Sequence, residues 1–313
     1  MMGTIAAPDP ENKEERMLIR FGFDIDIECT SPVPMLMALS THPDVVGRLI
    51  GEDHVRVPPG CDSTTYADRF GNRVTRFVAP TGRVKLWSDC VIDFDAQPDP
   101  QTPAARQHTI PDLPDAVLAY LLPSRYCDSD NLVQEAWSLF GYTSEGWARV
   151  QAITAFVHQH VTFGYQFGRA NKTASEVFRE RTGVCRDFAH LSISLCRAMN
   201  IPARYASGYL GDIGVPYSGA GDFCAWFEIY LDGCWHTFDA RYNKPRAGRI
   251  LMVRGDDAAD VAMITSFGNY QLTYFRVWTD KLADGLDDDT VLDMLRNRPE
   301  GEPLVFPSSG RIA

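Results

Sequence analysis

Gly-Val-Cys-Arg-Asp-Phe-Ala-His, residues 183–190, places a cysteine at the first turn of a helix that is predicted over 184–199 and begins just after a glycine. Free backbone N–H groups and the helix dipole favour a negative charge at such a position. We therefore expect the thiol of Cys185 to ionise more readily than an ordinary cysteine, with Arg186 adding to the effect. The functional interpretation is a nucleophile, and the alternative is a small buried residue that starts a helix.

A β-hairpin is predicted downstream of this helix. Two strand-like segments, 225–231 and 235–238, flank the dipeptide Asp232-Gly233. Asp-Gly between two strands is typical of a two-residue hairpin turn. Such a turn fixes the register of the strands, so the residues that face each other can be inferred from the sequence.

The predicted register places two polar side chains on one face of the hairpin. It pairs Cys224 with Arg241 and Trp226 with Asp239, which makes Cys224 and Asp239 diagonal neighbours. His236 lies an odd number of residues from Asp239 and is expected on the opposite face. The first face therefore carries a second thiol and a carboxylate.

These motifs occur in an order that resembles a known family. The segments that carry the resemblance, besides residues 183–190, are Ile-Pro-Ala-Arg-Tyr at 201–205, Ser-Gly-Tyr-Leu at 207–210, Ala-Trp-Phe-Glu-Ile-Tyr at 225–230 and Phe-Asp at 238–239. Together they resemble the bacterial transglutaminase-like superfamily, which has a papain-like cysteine peptidase fold, over roughly residues 150–241. The resemblance implies an α+β fold. An N-terminal antiparallel β domain would precede a core whose nucleophile, at a helix N-terminus, packs on an antiparallel sheet.

The resemblance also implies a triad in the chain order Cys, His, Asp. Cys185 matches the nucleophile, and Asp239 matches the residue that orients the base. The family's histidine usually precedes Ala-Trp directly, and Cys224 occupies that position here. Since imidazole has a pKa of about 6.5 and a thiol about 8.5, a thiol is the poorer proton shuttle at neutral pH. The predicted catalytic set is therefore the non-standard Cys185, Cys224 and Asp239.

Other histidines are candidates for the catalytic base. His190 follows Cys185 by five residues, about 140° around a helix, and is expected to pack in the core. His160 falls on the apolar face of its helix and is also expected in the core, whereas His158 is expected on a polar face. His160 and His190 remain the alternatives to Cys224.

Three further residues are predicted at the cleft. Tyr165 and Gln166 lie before the Cys185 helix, and either is a candidate donor to an oxyanion beside the Cys185 N–H. Packing of the tyrosine and exposure of the glutamine are the alternatives. Trp226 is expected either as a cleft wall or as a core residue.

Two cysteines and an aspartate at one cleft also permit other chemistry. Cys185 and Cys224 are candidates for a redox-sensitive disulfide, or for soft-metal ligands together with Asp239. Neither alternative has independent support in the sequence, and we expect no metal and no cofactor.

Composition limits the partners. The 313 residues include 30 lysines and arginines against 41 aspartates and glutamates, a net charge of −11, which argues against nucleic-acid and anionic-membrane partners. The eight cysteines form no C-x-x-C pair, and the chain has no apolar run near the length of a membrane span. The N-terminus lacks an apolar signal core, so a cytoplasmic protein is expected, acting on a peptide or small acyl substrate. The sequence does not indicate an oligomeric state.

Changes in composition predict the domain organisation. Residues 1–16 are a predicted leader, 17–95 a β domain, 96–114 a linker, 115–285 the transglutaminase-like core and 286–313 a tail with prolines. Alternating apolar residues from Leu18 to Cys29 predict a half-buried strand. Thr173, with Glu176 three residues later, predicts a capping box, and Thr143 is predicted to cap a helix over 144–160.

Three functions fit these observations. The first is a cysteine-dependent hydrolase or acyltransferase that acts on an amide or thioester through an acyl-Cys185 intermediate. The second is a catalytically weakened relative that binds a peptide or small ligand. The third is an enzyme of specialised metabolism in which Cys185 supports a different reaction.

Overall fold

The computed structural model describes residues 16–46, 48–215 and 221–297. The predicted leader, apart from Arg16, lies outside the described residues. The last part of the predicted tail, with its three prolines, lies outside them as well.

The strands and helices have the following bounds. The strands are β1 (Arg16–Cys29), β2 (Val33–Met37), β3 (Leu49–Ile50), β4 (Ser63–Ala67), β5 (Arg73–Ala79), β6 (Gly82–Asp95), β7 (Thr162–Phe163), β8 (Thr182–Gly183), β9 (Ala203–Leu210), β10 (Phe223–Leu231), β11 (Cys234–Phe238), β12 (Arg249–Gly255), β13 (Ile264–Ser266) and β14 (Tyr270–Lys281). The α-helices are α1 (Pro43–Val46), α2 (Asp115–Leu118), α3 (Val133–Phe140), α4 (Trp147–His160), α5 (Ala174–Glu180), α6 (Cys185–Ala198) and α7 (Asp288–Arg296). Short 3-10 turns cover Ile110–Asp112, Ala119–Leu121, Ser129–Leu132 and Tyr165–Phe167.

Two four-stranded antiparallel sheets contain the N-terminal strands. One has the order β14-β1-β6-β3 and the other β13-β2-β5-β4. Each sheet is completed by a strand from the C-terminal part of the chain, because β14 pairs with β1 and β13 pairs with β2. The sheets therefore join residues on both sides of the predicted linker at 96–114.

The prediction that β1 is only half-buried is wrong. β1 lies between β14 and β6, and its residues from Met17 to Ile27 are buried on both faces. The acidic side chains that suggested a solvent face are paired instead: Asp24 lies 3.5 Å from Lys85 Nζ, and Asp26 bonds Arg83. Gly22 is needed there, because a Cβ would lie 2.5 Å from the Trp278 ring.

Part of the predicted tail is a helix. α7 begins at Asp288, and Asp287 Oδ1 accepts the backbone N–H of Thr290 at 2.8 Å as its N-cap. Its Val291 is fully buried and packs with Leu18, Ile50 and other residues on the first sheet. The prolines beyond it led the sequence prediction to miss this short amphipathic segment.

The third sheet and the helix that follows the nucleophile motif form the core around the site. The sheet has the order β11-β10-β9-β12, and all of its pairs are antiparallel. α6 packs against β9 and β10, and its residues from Asp187 to Ala198 are all buried. A central helix against an antiparallel sheet is the α+β arrangement that the sequence predicted.

Two predicted helix starts had different outcomes. Thr173 and Glu176 form the predicted capping box at α5, with Glu176 Oε2 accepting the Thr173 N–H at 2.9 Å. Thr143 does not cap α4, because this helix begins only at Trp147, after Gly146. Gly146 has a φ of 79°, and a Cβ there would lie 2.4 Å from the Ala105 carbonyl oxygen. That close approach sets the start of α4.

No helix within the described ranges has both the length and the apolar character needed to cross a bilayer.

Candidate active site

The start of α6 is fixed by a buried carboxylate. Asp187 Oδ2 accepts the backbone N–H of Val184 at 2.9 Å, so one unpaired donor of the helix end is satisfied by the third residue of the helix. Gly183 permits this, because a Cβ there would lie 2.6 Å from the Asp187 Cβ. Cys185 is the first residue of α6 and is half-buried, as the sequence predicted for a thiol at a helix end.

The hairpin forms in the predicted register but is shorter than predicted. Leu231 pairs with Cys234, and the ladder continues to the pair of Phe227 and Phe238, where it ends. The predicted pairs of Trp226 with Asp239 and of Cys224 with Arg241 are absent from the ladder of β10 and β11. The physical reason lies at Asp239, whose side chain turns the chain away from β10.

Asp239 is engaged by a turn and by an arginine. Its Oδ1 accepts the backbone N–H groups of Arg241 at 3.0 Å and of Tyr242 at 3.3 Å. Its Oδ2 lies 3.2 Å from Arg249 Nη1, in a pair whose two side chains are almost completely buried. Arg249 also bonds Asp99, with Nε to Oδ1 at 3.1 Å. Asp239 therefore holds a turn and a buried cation, where the family's triad uses it to orient a histidine.

The two thiols of the predicted set influence each other's ionisation. Hydrogen bonding to Cys224 lowers the pKa of Cys185, and the Ala225 backbone N–H and the Arg241 guanidinium act in the same direction against burial and Asp222. The pKa of Cys224 is raised well above its ordinary range by hydrogen bonding to Cys185 and by burial, with the charge of Asp239 adding to the effect. Cys185 is thus the thiol of the pair that ionises more readily, and Cys224 is the one that holds its proton more tightly.

Their surroundings support this division. Cys224 is only 4% exposed. Cys185 is half-buried at the N-terminus of α6, where the helix dipole favours a negative charge. Cys224 Sγ also lies 3.8 Å from the Ala225 carbonyl oxygen, an acceptor weaker than a thiolate. Both cysteines are free thiols in the structure.

Arg241 and Asp222 are further charged groups that act on the thiol, and the sequence analysis did not single them out as site residues. Arg241 is half-buried, with its guanidinium 3.8 Å from the Phe163 ring centroid and 4.9 Å from that of Tyr242. Asp222 is half-buried, and burial raises the pKa of its carboxyl against a 2.8 Å hydrogen bond from the Phe223 N–H. Asp222 lies two residues before Cys224, so the period of a strand was the signal that could have identified it.

The three residues predicted at the cleft occupy different environments. Tyr165 is 60% exposed, and its hydroxyl interacts with the Asp222 carboxylate. The exposed Gln166 folds back over Gly164, where a Cβ would lie 2.7 Å from its amide nitrogen. Trp226 is 2% exposed and packs beneath the Arg249 guanidinium, 4.7 Å from the ring centroid, which places it in the core.

The histidines weighed as alternative bases have partners elsewhere. His190 is fully buried, its Nε2 accepts the Ala258 N–H at 3.1 Å, and burial lowers its pKa to about 3. His160 stacks between Phe156 and Phe178, with ring centroids 4.7 Å and 4.9 Å away.

The hairpin and surface histidines also lie apart from the thiol. His236 points away from the Asp239 face, where its Nε2 lies 3.2 Å from the Leu231 carbonyl oxygen and its ring packs on Trp147. The ring of His158 contacts the carbonyl oxygens of Ala240 and Arg241, both at 3.0 Å. The strongest influences on the Cys185 thiol come from Cys224, Ala225, Arg241 and Asp222, without an imidazole among them.

Metal binding was an alternative for these side chains. In the described part of the chain, no three His, Cys, Asp or Glu side chains are grouped so that they could hold a metal ion.

Comparison with known proteins agrees with this fold. Residues 139–240 match the model of the transglutaminase-like superfamily. A solved structure from Cytophaga hutchinsonii, described as a "Putative Cysteine Protease", is 28% identical and superposes with a TM-score of 0.73, covering 87% of this chain and 93% of that one. Residues 139–240 therefore form a transglutaminase-like domain, and its fold supports a place among cysteine-dependent hydrolases or acyltransferases.

Mycobacterial proteins are also similar to this chain. "Uncharacterized protein ML0607" of Mycobacterium leprae is 25% identical over 220 residues, which cover 67% of this chain and 77% of that protein. "Uncharacterized protein Rv2569c" of Mycobacterium tuberculosis is 25% identical over 239 residues, which cover 65% of this chain and 71% of that protein.

Proposed function

We propose that this protein is a cysteine-dependent acyl-transfer enzyme that forms an acyl-Cys185 intermediate and uses thioesters in preference to amides. One observation carries the proposal: Cys224 stands in β10 directly before Ala225 and Trp226, where the resemblance expects a histidine. The lowered pKa of Cys185, to which Cys224 and Arg241 contribute, supports it.

The first step needs no base. Because the pKa of Cys185 is lowered, a larger share of the thiol is already ionised at neutral pH. The thiolate attacks the acyl carbon of R-CO-SR′, and the Cys185 N–H, at the unpaired end of α6, is placed to donate to the oxyanion.

The leaving group decides the substrate class. An amine leaves an amide only when an acid protonates it, and the family's histidine supplies that proton. A thiol has a pKa near 8.5, so it leaves as the thiolate R′S⁻ without a proton donor. The Cys224 thiol, with its raised pKa, is a weak acid and a poor substitute for imidazolium in amide cleavage.

The second step needs a base, and Asp222 is the candidate. Its carboxyl acts on the Cys185 thiol, and burial raises its pKa toward the range in which a carboxylate accepts a proton effectively. Asp222 would take a proton from the attacking water or amine, and the collapse of the tetrahedral species would release the product and restore the Cys185 thiolate. Whether water or another acceptor takes the acyl group decides between hydrolysis and transfer.

The test uses a matched pair of acyl donors. The butyryl thioester of N-acetylcysteamine and the corresponding butyryl amide are incubated with the protein, and the mass of the Cys185 peptide is followed. We expect an increase of one butyryl group from the thioester only, and no increase in Cys185→Ala. Equal acylation by the two donors, or none by the thioester, would refute the proposal.

A histidine at position 224 gives a second readout. Cys224→His places an imidazole beside Cys185, so we expect amide cleavage to rise above that of the natural protein. If the natural protein already cleaves the amide as fast as the Cys224→His variant, the second thiol does not limit the chemistry and the preference for thioesters is wrong.

A binding protein without turnover is the second candidate, and the absence of imidazole at the thiol favours it. In that case the thioester would acylate Cys185 once, and the adduct would persist. Release of more than one product molecule per protein chain excludes a binding protein without turnover.

A further inference from the structure

We infer that Arg241 binds a carboxylate carried by the acyl group of the substrate. This inference rests on the proposed function, because it specifies which acyl donors the same site takes. The substrate class would be a thioester of a dicarboxylic acid or of another acid with a free carboxylate near the reacting carbon.

The first reason is that Arg241 lacks an acceptor. A guanidinium has five N–H donors, and none of them forms a hydrogen bond or an ion pair within the described part of the chain. The neighbouring arginines each have an acceptor: Arg246 donates to the Gly211 carbonyl oxygen at 2.8 Å, and Arg249 is paired with two aspartates. Arg241 therefore differs from the arginines that serve the fold.

The second reason is that the guanidinium is held in place without being neutralised. Phe163 and Tyr242 lie against it, and its backbone N–H is fixed by Asp239. Holding a cation over two rings defines its position and leaves its N–H donors free. The half-buried guanidinium therefore presents donors that a ligand can use.

Asp222 is the nearest candidate for an internal partner, and it is not one. Its charge is felt by Arg241, yet no oxygen of Asp222 lies within the 4.0 Å of an ion pair with that guanidinium in the described structure. The anion and the cation thus act on the thiol separately.

The reaction itself changes the charge beside Arg241. Arg241 lies over Phe163, which pairs with Gly183, two residues before Cys185. Before the reaction, the charge of an ionised Cys185 partly balances the guanidinium. Acylation converts the thiolate into a neutral thioester, which leaves the cation without its partner. A carboxylate on the acyl group would restore the balance, and its two oxygens match the planar fork of arginine.

The first experiment does not depend on acyl transfer. Iodoacetate and iodoacetamide alkylate the same thiol by displacement of iodide and differ in the charge of the group delivered. We expect the ratio of the iodoacetate rate to the iodoacetamide rate at Cys185 to fall about tenfold in Arg241→Gln, and much less in Arg241→Lys.

Two variants serve as controls. Arg106 is an exposed arginine paired with Asp232 at the hairpin turn, so Arg106→Gln removes the same charge away from the thiol and should leave the ratio unchanged. Asp222→Asn removes the opposing charge and should raise the ratio. Far-ultraviolet circular dichroism shows whether each variant is folded, and Arg241→Lys keeps the inference testable if Arg241→Gln is not.

The second experiment compares succinyl and butyryl thioesters of N-acetylcysteamine, whose acyl chains have equal length and differ in the terminal carboxylate. We expect faster acylation of Cys185 by the succinyl donor, and loss of that preference in Arg241→Gln. If both donors acylate Cys185 equally, and the ratio of the iodoacetate and iodoacetamide rates is the same in Arg241→Gln as in the natural protein, the inference is wrong while the proposed function stands. If neither donor acylates but the ratio still depends on Arg241, the anion site is supported and the proposed function fails.

Discussion

The Asp239 carboxylate accepts the backbone N–H of Arg241 at 3.0 Å, and this bond holds the turn that brings the Arg241 guanidinium to the Cys185 thiol. The same carboxylate is paired with the buried Arg249. The third member of the predicted triad thus orients a cation.

Removing Asp239 should affect stability and the site together. In Asp239→Ala the buried Arg249 keeps Asp99 but loses one carboxylate, so we expect the free energy of unfolding to fall by about 3 kcal/mol. Chemical denaturation monitored by fluorescence measures this. Asp232→Ala removes an exposed carboxylate of the hairpin turn and should cost less than about 1 kcal/mol. Equal losses in the two variants would mean that the buried pair does not support the fold.

Cys224 should control the ionisation of Cys185. Because hydrogen bonding to Cys224 is the main influence that lowers the pKa of Cys185, Cys224→Ala should move the midpoint of its alkylation to higher pH. Cys224→Ser keeps a donor and should move it less. The measurement is the iodoacetamide rate at the Cys185 peptide between pH 5 and pH 10. The exposed Cys234, changed to Ser, is the control, and an unchanged midpoint in Cys224→Ala would contradict the pairing of the two thiols.

Asp222→Asn should have two opposite effects. The negative charge of Asp222 raises the pKa of Cys185, so its removal should shift the alkylation midpoint to lower pH and speed labelling. The same change removes the proposed base, so the acyl-Cys185 adduct should decay about a hundredfold more slowly. Mass spectrometry after a single addition of thioester gives the decay. Faster decay in Asp222→Asn would exclude Asp222 as the base.

His190 should make the fold sensitive to acid. Its pKa is about 3 in the folded chain, mainly because of burial, and about 6.5 when unfolded. As pH falls, the unfolded chain therefore binds a proton at this histidine before the folded chain does. The contribution of His190 to the free energy of unfolding is complete above pH 6.5, and roughly 4 kcal/mol of it is lost as pH falls toward 3. Urea unfolding at pH 7, 5 and 4 measures the loss.

The matched variant is His190→Gln, which retains an acceptor for the Ala258 N–H. Other carboxylates also titrate in this range, including Asp257 beside the imidazole, so the difference between the two proteins is the quantity to follow. If the two stabilities fall in parallel with pH, the buried imidazole does not account for the acid sensitivity.

Local signals predicted the elements that short stretches of chain specify. The Asp232-Gly233 turn fixed the hairpin register as far as Phe238, because a two-residue turn leaves little choice in strand pairing. Thr173 and Glu176 predicted the start of α5 for the same kind of reason, since both members of a capping box lie within one turn.

Predictions failed where a distant contact overrode a local preference. The alternation of acidic residues in β1 predicted a solvent face, yet distant residues pack on the strand. Phe21 contacts Tyr209, and Leu18 packs in one cluster with Val291. Likewise, α4 begins at Trp147 because Gly146 approaches Ala105, a contact that nothing near Thr143 encodes.

The sequence by itself determined the position of the nucleophile, the hairpin and the cysteine at the usual histidine position, because each depends on residue identity and short-range backbone geometry. Only the tertiary structure decided that Asp239 pairs with Arg249, that Asp222 and Arg241 act on the Cys185 thiol, and that the C-terminal strands complete the N-terminal sheets. The physical reason is that side-chain charges exert their effects through space over a few ångströms, and chain folding, rather than spacing along the sequence, sets those distances.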